Sequence, residues 1–230
     1  MAERRTTIPK TNWTQWGKRV FDVFAVVVLL AGFSPILLLA AAMIKFTSRG
    51  PLFFVQERAG MNGEIFRLVK FRTMRGNRRP DPKELVPLDH PEITPVGRVL
   101  RRLKIDELPQ LVNVLRGEMS LVGPRPTLPD QVAAYDGFRR QRLLTRPGVT
   151  GLAQVYSSAS ASWDERILYD VAYVRCCSAW MDRTILLRTV LVICLGEART
   201  ARRFATTRFA GLIDPDEPGV PHDLIAAGAQ

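Results

Sequence analysis

One long apolar run lies near the start of the chain, and shorter patterned segments follow it. Residues 21–44 are apolar apart from a few small or polar positions, and 14 of them are Leu, Ile, Val or Phe. At roughly 0.3–0.6 kcal/mol each, these side chains favour membrane insertion by about 4–8 kcal/mol. A helix of this length reaches roughly 36 Å, which is enough to cross a bilayer. The run predicts a retained membrane helix rather than a cleaved signal peptide.

The middle of this run predicts a kink, because Ser34 is followed by Pro35 and proline removes a backbone donor. Lys18 and Arg19 precede the run and Lys45 follows it, so flanking charge does not orient the helix. Two arrangements stay open on the residues alone. The helix is either a kinked span or a broken helix that enters the membrane and returns to the same face.

The next segments have the alternation of strands. PLFFVQER and EIFRLVKFRTM predict a β-hairpin, with AGMNG as the turn between them. Lys70 and Arg72 alternate with apolar neighbours, so we expect both cations on one face of the hairpin. That face is either a solvated edge or a surface that contacts phosphates.

The rest of the pattern is helical, with one further strand. We predict amphipathic or apolar-faced helices at residues 96–104, 108–116, 129–144, 163–173 and 182–195, and strands at 119–122 and in VTGLAQV. Residues 196–230 are basic and then rich in proline, which predicts a poorly ordered tail. The fold class is therefore α+β, divided into a membrane-anchoring segment (1–48), a main domain (49–195) and the tail (196–230).

Charge and rare residues narrow the chemistry. The net charge is +11, which suits nucleic acid, an anionic membrane face or phosphorylated substrates. The three cysteines have no metal-ligand spacing, and we expect them to be reduced. With only two histidines in the chain, neither a histidine zinc site nor a Ser-His-Asp triad is expected.

The candidate chemistry centres on the stretch IDELPQLVNVLRGEMSLVGPRP. Asp106 and Glu107 stand at the predicted start of a helix, after the basic segment that carries Arg101 and before the exposed turn that carries Arg125. Acids in this position serve either as helix caps or as ligands of Mg²⁺, with the arginines binding phosphates.

This stretch resembles the core of the bacterial sugar transferase family, the monotopic phosphoglycosyl transferases. The likeness runs from KRVFDVFAVV through SRGPLFFVQERAGMNGEIFRLVKFRTM and DELPQLVNVLRGEMSLVGPRP to RPGVTGLAQV and WDER…DVAYV, over about residues 17–190. It implies an enzyme that moves a phosphosugar from a nucleotide sugar, UDP-linked in our expectation, to polyprenyl phosphate and releases UMP. Such an enzyme makes the first membrane step of glycoconjugate assembly.

The resemblance also assigns roles to residues. It implies that Asp106 is the covalent nucleophile and that Glu107 holds Mg²⁺ with it. Phosphate-binding or supporting roles fall on Lys70, Arg72, Arg101, Arg125 and Asp170. The Ser34-Pro35 pair is expected to break a re-entrant helix, so that the catalytic domain lies on the cytoplasmic face of the bacterial inner membrane and contacts its lipids. Whether the protein forms a homodimer is left open.

One departure and one competing interpretation remain. The family often carries Asn-Gly-Arg after AQV, whereas this chain has Tyr156, Ser157 and Ser158, so an arginine expected near the nucleotide is missing. The competing interpretation is a non-catalytic, membrane-attached basic module that binds anionic lipid or nucleic acid. We expect no nucleic-acid partner, because the chain lacks basic residues interleaved with aromatic ones.

Overall fold

The computed structural model describes residues 8–75, 90–158 and 160–226, so residues 1–7 of the predicted anchoring segment lie outside it. The α-helices are α1 (Lys18–Thr47), α2 (Pro95–Arg102), α3 (Leu111–Arg116), α4 (Pro129–Ala133), α5 (Gly137–Arg140), α6 (Leu152–Tyr156), α7 (Trp163–Cys176), α8 (Ala179–Leu195), α9 (Glu197–Thr200) and α10 (His222–Ala226). The strands are β1 (Phe53–Ala59), β2 (Ile65–Phe71), β3 (Ser120–Val122) and β4 (Gly148–Thr150). The predicted α+β class is confirmed.

Helix α1 touches the rest of the protein near its two ends. Asp22 and Val26 are its buried residues near the start, and Ala40 and Ile44 are its buried residues near the end. Val26 packs into the main core, whereas Ala40 and Ile44 form a smaller cluster with Phe71 and other residues. With the turn before it, α1 is the one helix in the described ranges that is long and apolar enough to cross a membrane. Its middle is largely exposed, as a lipid-facing segment requires.

Helix α1 continues through the Ser34-Pro35 pair without interruption. Pro35 has no N–H to donate to the carbonyl of Ala31, four residues before it. The Ser34 hydroxyl donates to that carbonyl instead, at 2.8 Å. The Ser34-Pro35 pair therefore keeps the Ala31 carbonyl hydrogen-bonded within the apolar part of the helix, as a membrane segment requires. The return of the helix to the same membrane face stays a prediction.

The predicted hairpin is confirmed, and a helix side chain covers its outer edge. β1 and β2 are antiparallel, with Phe53 opposite Phe71 and Ala59 opposite Ile65. Asn113 of α3 is fully buried; its Oδ1 accepts from the backbone N–H of Val69 at 3.1 Å and its Nδ2 donates to a carbonyl of β2 at 2.7 Å. A single carboxamide thus takes the place of a neighbouring strand and fixes α3 against β2.

A small parallel sheet brings two loops together. β3 pairs with β4, with Ser120 opposite Gly148 and Val122 opposite Thr150. At Gly148 a Cβ would lie 2.1 Å from the backbone nitrogen of Gly123, so a larger residue does not fit. This close approach sets the GPRP turn after β3 beside the start of β4.

Three predictions about the helical region are wrong. The single helix over residues 129–144 is instead α4, α5 and a 3₁₀ turn, because Asp136 caps a new helix start by accepting from the N–H of Arg139. The residues LAQV form helix α6 and not a strand. Helix α3 begins at Leu111, and Pro109 lies within a preceding 3₁₀ turn. The predicted end of α3 at Gly117 is confirmed by its left-handed φ of 84°.

The core is built around α7, and the segment after residue 196 contributes to it. Every residue of α7 from Ile167 to Val174 is buried. The rings of Phe204 and Phe209 are buried beside Tyr169. Each meets the Tyr169 ring edge-on, with centroid distances of 4.9 Å for Phe204 and 6.4 Å for Phe209. The prediction of a poorly ordered tail is therefore wrong for residues 196–226.

Helix α8 has an exposed apolar surface over its second half. Ile185 is buried in the core, but large apolar side chains further along the helix are half exposed or more: Leu187, Val190, Leu191, Ile193 and Leu195. An exposed apolar surface of this kind is typical of a helix that lies at a membrane surface.

Candidate active site

The two acids of the DELPQ stretch lie beside the membrane helix. Asp106 and Glu107 stand in the first turn of the 3₁₀ helix Ile105–Gln110. Ile105 packs against the cluster that Ala40 and Ile44 of α1 form. The acids are therefore fixed next to the second half of α1, where a lipid-linked substrate would meet the protein.

Glu107 is held by two cations from different elements. Its Oε1 accepts from Lys70 Nζ at 3.0 Å and from Arg125 Nη2 at 2.8 Å. Burial alone would raise the pKa of Glu107, but Arg125 and Lys70 together hold that pKa far below its usual range. Burial lowers the pKa of Lys70, and Glu107 opposes that shift. Lys70 and Arg125, which the resemblance assigns to phosphate binding, thus both lie at the acid pair.

Asp106 is more buried than Glu107 but less well paired. It is 9% exposed, and no hydrogen bond reaches its Oδ1 from the described part of the chain. Burial and the neighbouring charge of Glu107 raise its pKa, while Lys70 and Arg101 lower it. A buried carboxylate oxygen that no protein donor occupies is available to attack phosphorus or to bind a cation.

The predicted phosphate-binding residues divide into two groups. Arg101 lies close enough to Asp106 to interact with its charge, and its Nε donates to the Thr73 hydroxyl at 2.9 Å. Arg72 does not join Lys70; its guanidinium donates to the carbonyls of Ser48 and Arg49, at 2.8 and 2.9 Å. The prediction that Arg72 faces a phosphate is wrong, because this side chain fastens the end of α1 to the hairpin.

Asp170 supports the site from a distance. It is 1% exposed and accepts from Arg142 Nε at 3.1 Å. Arg142 Nη2 in turn donates to the backbone carbonyl of Arg125 at 3.0 Å, and Nη1 donates to the Tyr135 hydroxyl at 2.7 Å. The buried pair therefore holds the GPRP turn, which agrees with the supporting position that the resemblance implies and not with direct contact to a phosphate.

Sequence reasoning missed the network that seats the start of α1. Asp182 of α8 is 1% exposed and accepts from Lys18 Nζ at 2.6 Å, Trp13 Nε1 at 2.9 Å and the Tyr173 hydroxyl at 2.7 Å. Arg19 Nη2 donates to the carbonyl of Leu115 at 2.8 Å, at the end of α3. Lys18 and Arg19 are thus both bonded to protein groups.

Asp22 makes a similar contact one turn further along α1. Its Oδ1 accepts from the backbone N–H of Leu121 in β3, at 3.1 Å. Since α3 follows the acid pair and β3 precedes the GPRP turn, the start of α1 is bonded to both elements that carry the site. An acid inside an apolar run was the available signal.

Comparison with known proteins accounts for this arrangement. A family model described as bacterial sugar transferase matches residues 13–196. The chain belongs to the bacterial sugar transferase family. The resemblance found in the sequence is confirmed, and with it the prediction of a sugar-phosphate transferase rather than a non-catalytic basic module.

Several curated relatives share most of their length with this sugar transferase. It is 41% identical over 193 residues to the exopolysaccharide production protein ExoY of Rhizobium meliloti, covering 77% of this chain and 85% of the relative. It is 40% identical over 195 residues to the sugar transferase EpsL of Bacillus subtilis, covering 84% and 96%. It is 44% identical over 187 residues to the UDP-glucose:undecaprenyl-phosphate glucose-1-phosphate transferase of Caulobacter vibrioides, covering 75% and 68%.

The acid pair of this sugar transferase also fits a divalent cation, although the described ranges contain no group of three or more metal-binding side chains. Asp106 Oδ1 has no protein partner there, and Glu107 is ionised next to it. Mg²⁺ is commonly held by one or two carboxylates together with substrate phosphates and waters. The donor set therefore suits a cation that arrives with a phosphorylated substrate.

Proposed function

We propose that this sugar transferase moves a sugar phosphate from a UDP-sugar to undecaprenyl phosphate and releases UMP. The observation that carries the proposal is the pair of Asp106, with its unpartnered buried Oδ1, and Glu107, clamped by Lys70 and Arg125 beside the membrane helix. The activity for which the Caulobacter relative is named supports the donor and the acceptor.

The first half-reaction forms a covalent intermediate on Asp106. A carboxylate oxygen of Asp106 attacks the β-phosphorus of the UDP-sugar, and the bond from that phosphorus to the bridging oxygen breaks. The electron pair leaves on that oxygen with UMP. In this proposal Lys70 and Arg125, which hold Glu107, offset negative charge on the phosphoryl oxygens, and Arg101, which interacts with the charge of Asp106, adds to that effect.

The second half-reaction returns the enzyme to its starting state. A phosphate oxygen of undecaprenyl phosphate attacks the same phosphorus, the bond from phosphorus to Asp106 breaks, and the carboxylate is restored. The product is undecaprenyl diphosphate sugar. When Mg²⁺ is bound by Asp106 and Glu107, it supplies positive charge that reduces the repulsion between these anions.

The proposal extends to the place of the reaction. The apolar middle of α1 and the exposed apolar side chains of α8 favour an enzyme seated in one face of a membrane. We place the site on the cytoplasmic face of the bacterial inner membrane, where nucleotide sugars are made, in the first membrane step of exopolysaccharide or related glycan assembly.

The decisive experiment combines a donor panel with a test for the intermediate. The full chain in lipid nanodiscs is mixed with UDP-sugars, Mg²⁺ and undecaprenyl phosphate, and UMP release is measured, with EDTA as the metal control. When undecaprenyl phosphate is left out, intact-mass spectrometry should show one sugar phosphate added to the wild type and none to Asp106→Asn. Turnover by Asp106→Asn above a trace would rule out the covalent role of Asp106. If the folded wild type releases no UMP from any donor in the panel, the proposed function is refuted.

A further inference from the structure

A small open cleft lies beside the clamped carboxylate of Glu107. It is lined by Arg58, Lys70, Gln110, Arg125, Pro126 and Gly148. Arg58 comes from the end of β1, Lys70 from β2, and Arg125 from the GPRP turn, so three separate parts of the fold each bring one cation to the same cleft.

Three cations line this cleft, and one of them, Arg58, is bonded to no acid among the described residues. Lys70 and Arg125 are both bonded to the carboxylate of Glu107. Arg58 donates to the carbonyl of Pro126 at 3.3 Å and to the side-chain oxygen of Gln56 at 2.7 Å, neither of which carries charge. Burial and the nearby charge of Arg125 lower the pKa of Arg58 to about 10, so it stays protonated at neutral pH. The arrangement favours an anion in the cleft.

Two polar side chains in the cleft suit an anionic ligand. Arg58 Nε is buried and has no hydrogen-bond partner among the described residues. Gln110 is 3% exposed, and it lines the cleft. A buried donor without an acceptor costs free energy, so Arg58 Nε favours a ligand rich in acceptor oxygens, to which a carboxamide can also donate.

We propose that this cleft binds a phosphate group next to the one transferred, with Arg58 and Gln110 as phosphate-binding residues. The inference rests on the proposed function. A planar guanidinium with a free Nε suits a phosphate, which accepts two parallel N–H bonds. The phosphate belongs either to the nucleotide that leaves or to the lipid that attacks, since both stand beside the transferred phosphorus.

The test uses inorganic pyrophosphate as the probe and the full chain in nanodiscs. Isothermal titration calorimetry compares wild type, Arg58→Gln, Arg58→Lys and Gln110→Leu, with Arg67→Gln as the matched control because Arg67 is an exposed arginine of the same hairpin. We expect pyrophosphate to bind at least 10-fold more weakly to Arg58→Gln and at least 3-fold more weakly to Arg58→Lys and Gln110→Leu. Arg67→Gln should match the wild type.

The unfolding temperature of each variant is measured as well, so that a loss of affinity can be told apart from a loss of folding. Pyrophosphate affinity of Arg58→Gln within twofold of wild type would overturn the inference, because Arg58 would then only hold the Pro126 carbonyl. If Arg58→Gln does not fold, Arg58→Lys decides, since it keeps the charge but loses the Nε donor; equal affinity in that variant would likewise overturn it.

Kinetics distinguish the two sources of phosphate. A rise in KM for the UDP-sugar alone assigns the cleft to the nucleotide, and a rise in KM for undecaprenyl phosphate alone assigns it to the lipid. If pyrophosphate binding depends on Arg58 but the protein is inactive on every donor, the phosphate site is supported and the proposed function is rejected. If transfer proceeds equally well without Arg58, the proposed function is supported and the phosphate site is rejected.

Discussion

Replacing Asn113 with leucine tests how the hairpin is held against the acid pair. Leucine has a similar size but cannot bond to β2, so the N–H of Val69 and the carbonyl of Arg67 lose their partner in a fully buried place. At about 1–3 kcal/mol for each unsatisfied group, the loss is about 2–6 kcal/mol. For a chain of this size that corresponds to a fall in unfolding temperature of about 4–24 °C.

The assay is thermal unfolding in detergent, combined with hydrogen exchange of the peptide that contains Val69. The Val69 amide should exchange faster in Asn113→Leu, and transfer should slow because Lys70, the next residue, holds Glu107. Glu118→Ala is the graded control. It removes the bond from Asn113 Nδ2 to Glu118, at 2.7 Å, and leaves both bonds to β2, so we expect a loss of no more than about 1 kcal/mol. An unfolding temperature of Asn113→Leu within 2 °C of wild type, with unchanged exchange at Val69, would refute the reasoning.

Two further predictions concern parts of the fold outside the acid pair. Asp182→Leu should lower stability by about 3–5 kcal/mol, because it leaves the buried Lys18 without a counter-charge; Lys18→Met made together with it should recover part of the loss, and a thermal scan showing no recovery would contradict the pairing. Phe204→Ala should cost about 3–5 kcal/mol, since the ring is fully buried against Tyr169; the exposed Phe46 provides the control as Phe46→Ala, and equal unfolding temperatures of the two variants would show that the tail does not stabilise the core.

The sequence predicted the elements that carry the site, because their signals are local. The apolar run, the alternating strands and the glycine at the end of α3 each depend on neighbours in the chain, and all three are confirmed. The convergence of Lys70 and Arg125 on Glu107 was not predicted, because it joins three residues that lie far apart in the chain.

The failures have identifiable physical causes. Arg72 lies one residue beyond β2, so the alternation that places Lys70 no longer fixes where its side chain points. LAQV is a short apolar run, and periodicity alone cannot separate helix from strand in so few residues. Asp136 and Gly137 are residues typical of a turn, and they lie in the middle of the predicted helix 129–144, where a new helix begins instead.

The contacts made through tertiary structure could not be read from the chain. Asn113 replaces a strand partner only because α3 packs beside β2, and Asp182 accepts three bonds only because α8 returns to the start of α1. Composition also gave a wrong prediction for the tail. Its basic segment is typical of disorder, but two of its phenylalanines, Phe204 and Phe209, are buried in the core, which composition cannot show.

The two contact pairs of α1 have a consequence for the depth of the enzyme in its membrane. Asp22 and Ala40 are 18 positions apart, as are Val26 and Ile44, and 18 residues make about five turns of α-helix. Insertion of one residue between the pairs would rotate one end by about 100° relative to the other and prevent both contacts at once. The helix therefore keeps one position relative to the acid pair, so the depth at which the helix lies in a bilayer also sets the depth of the site.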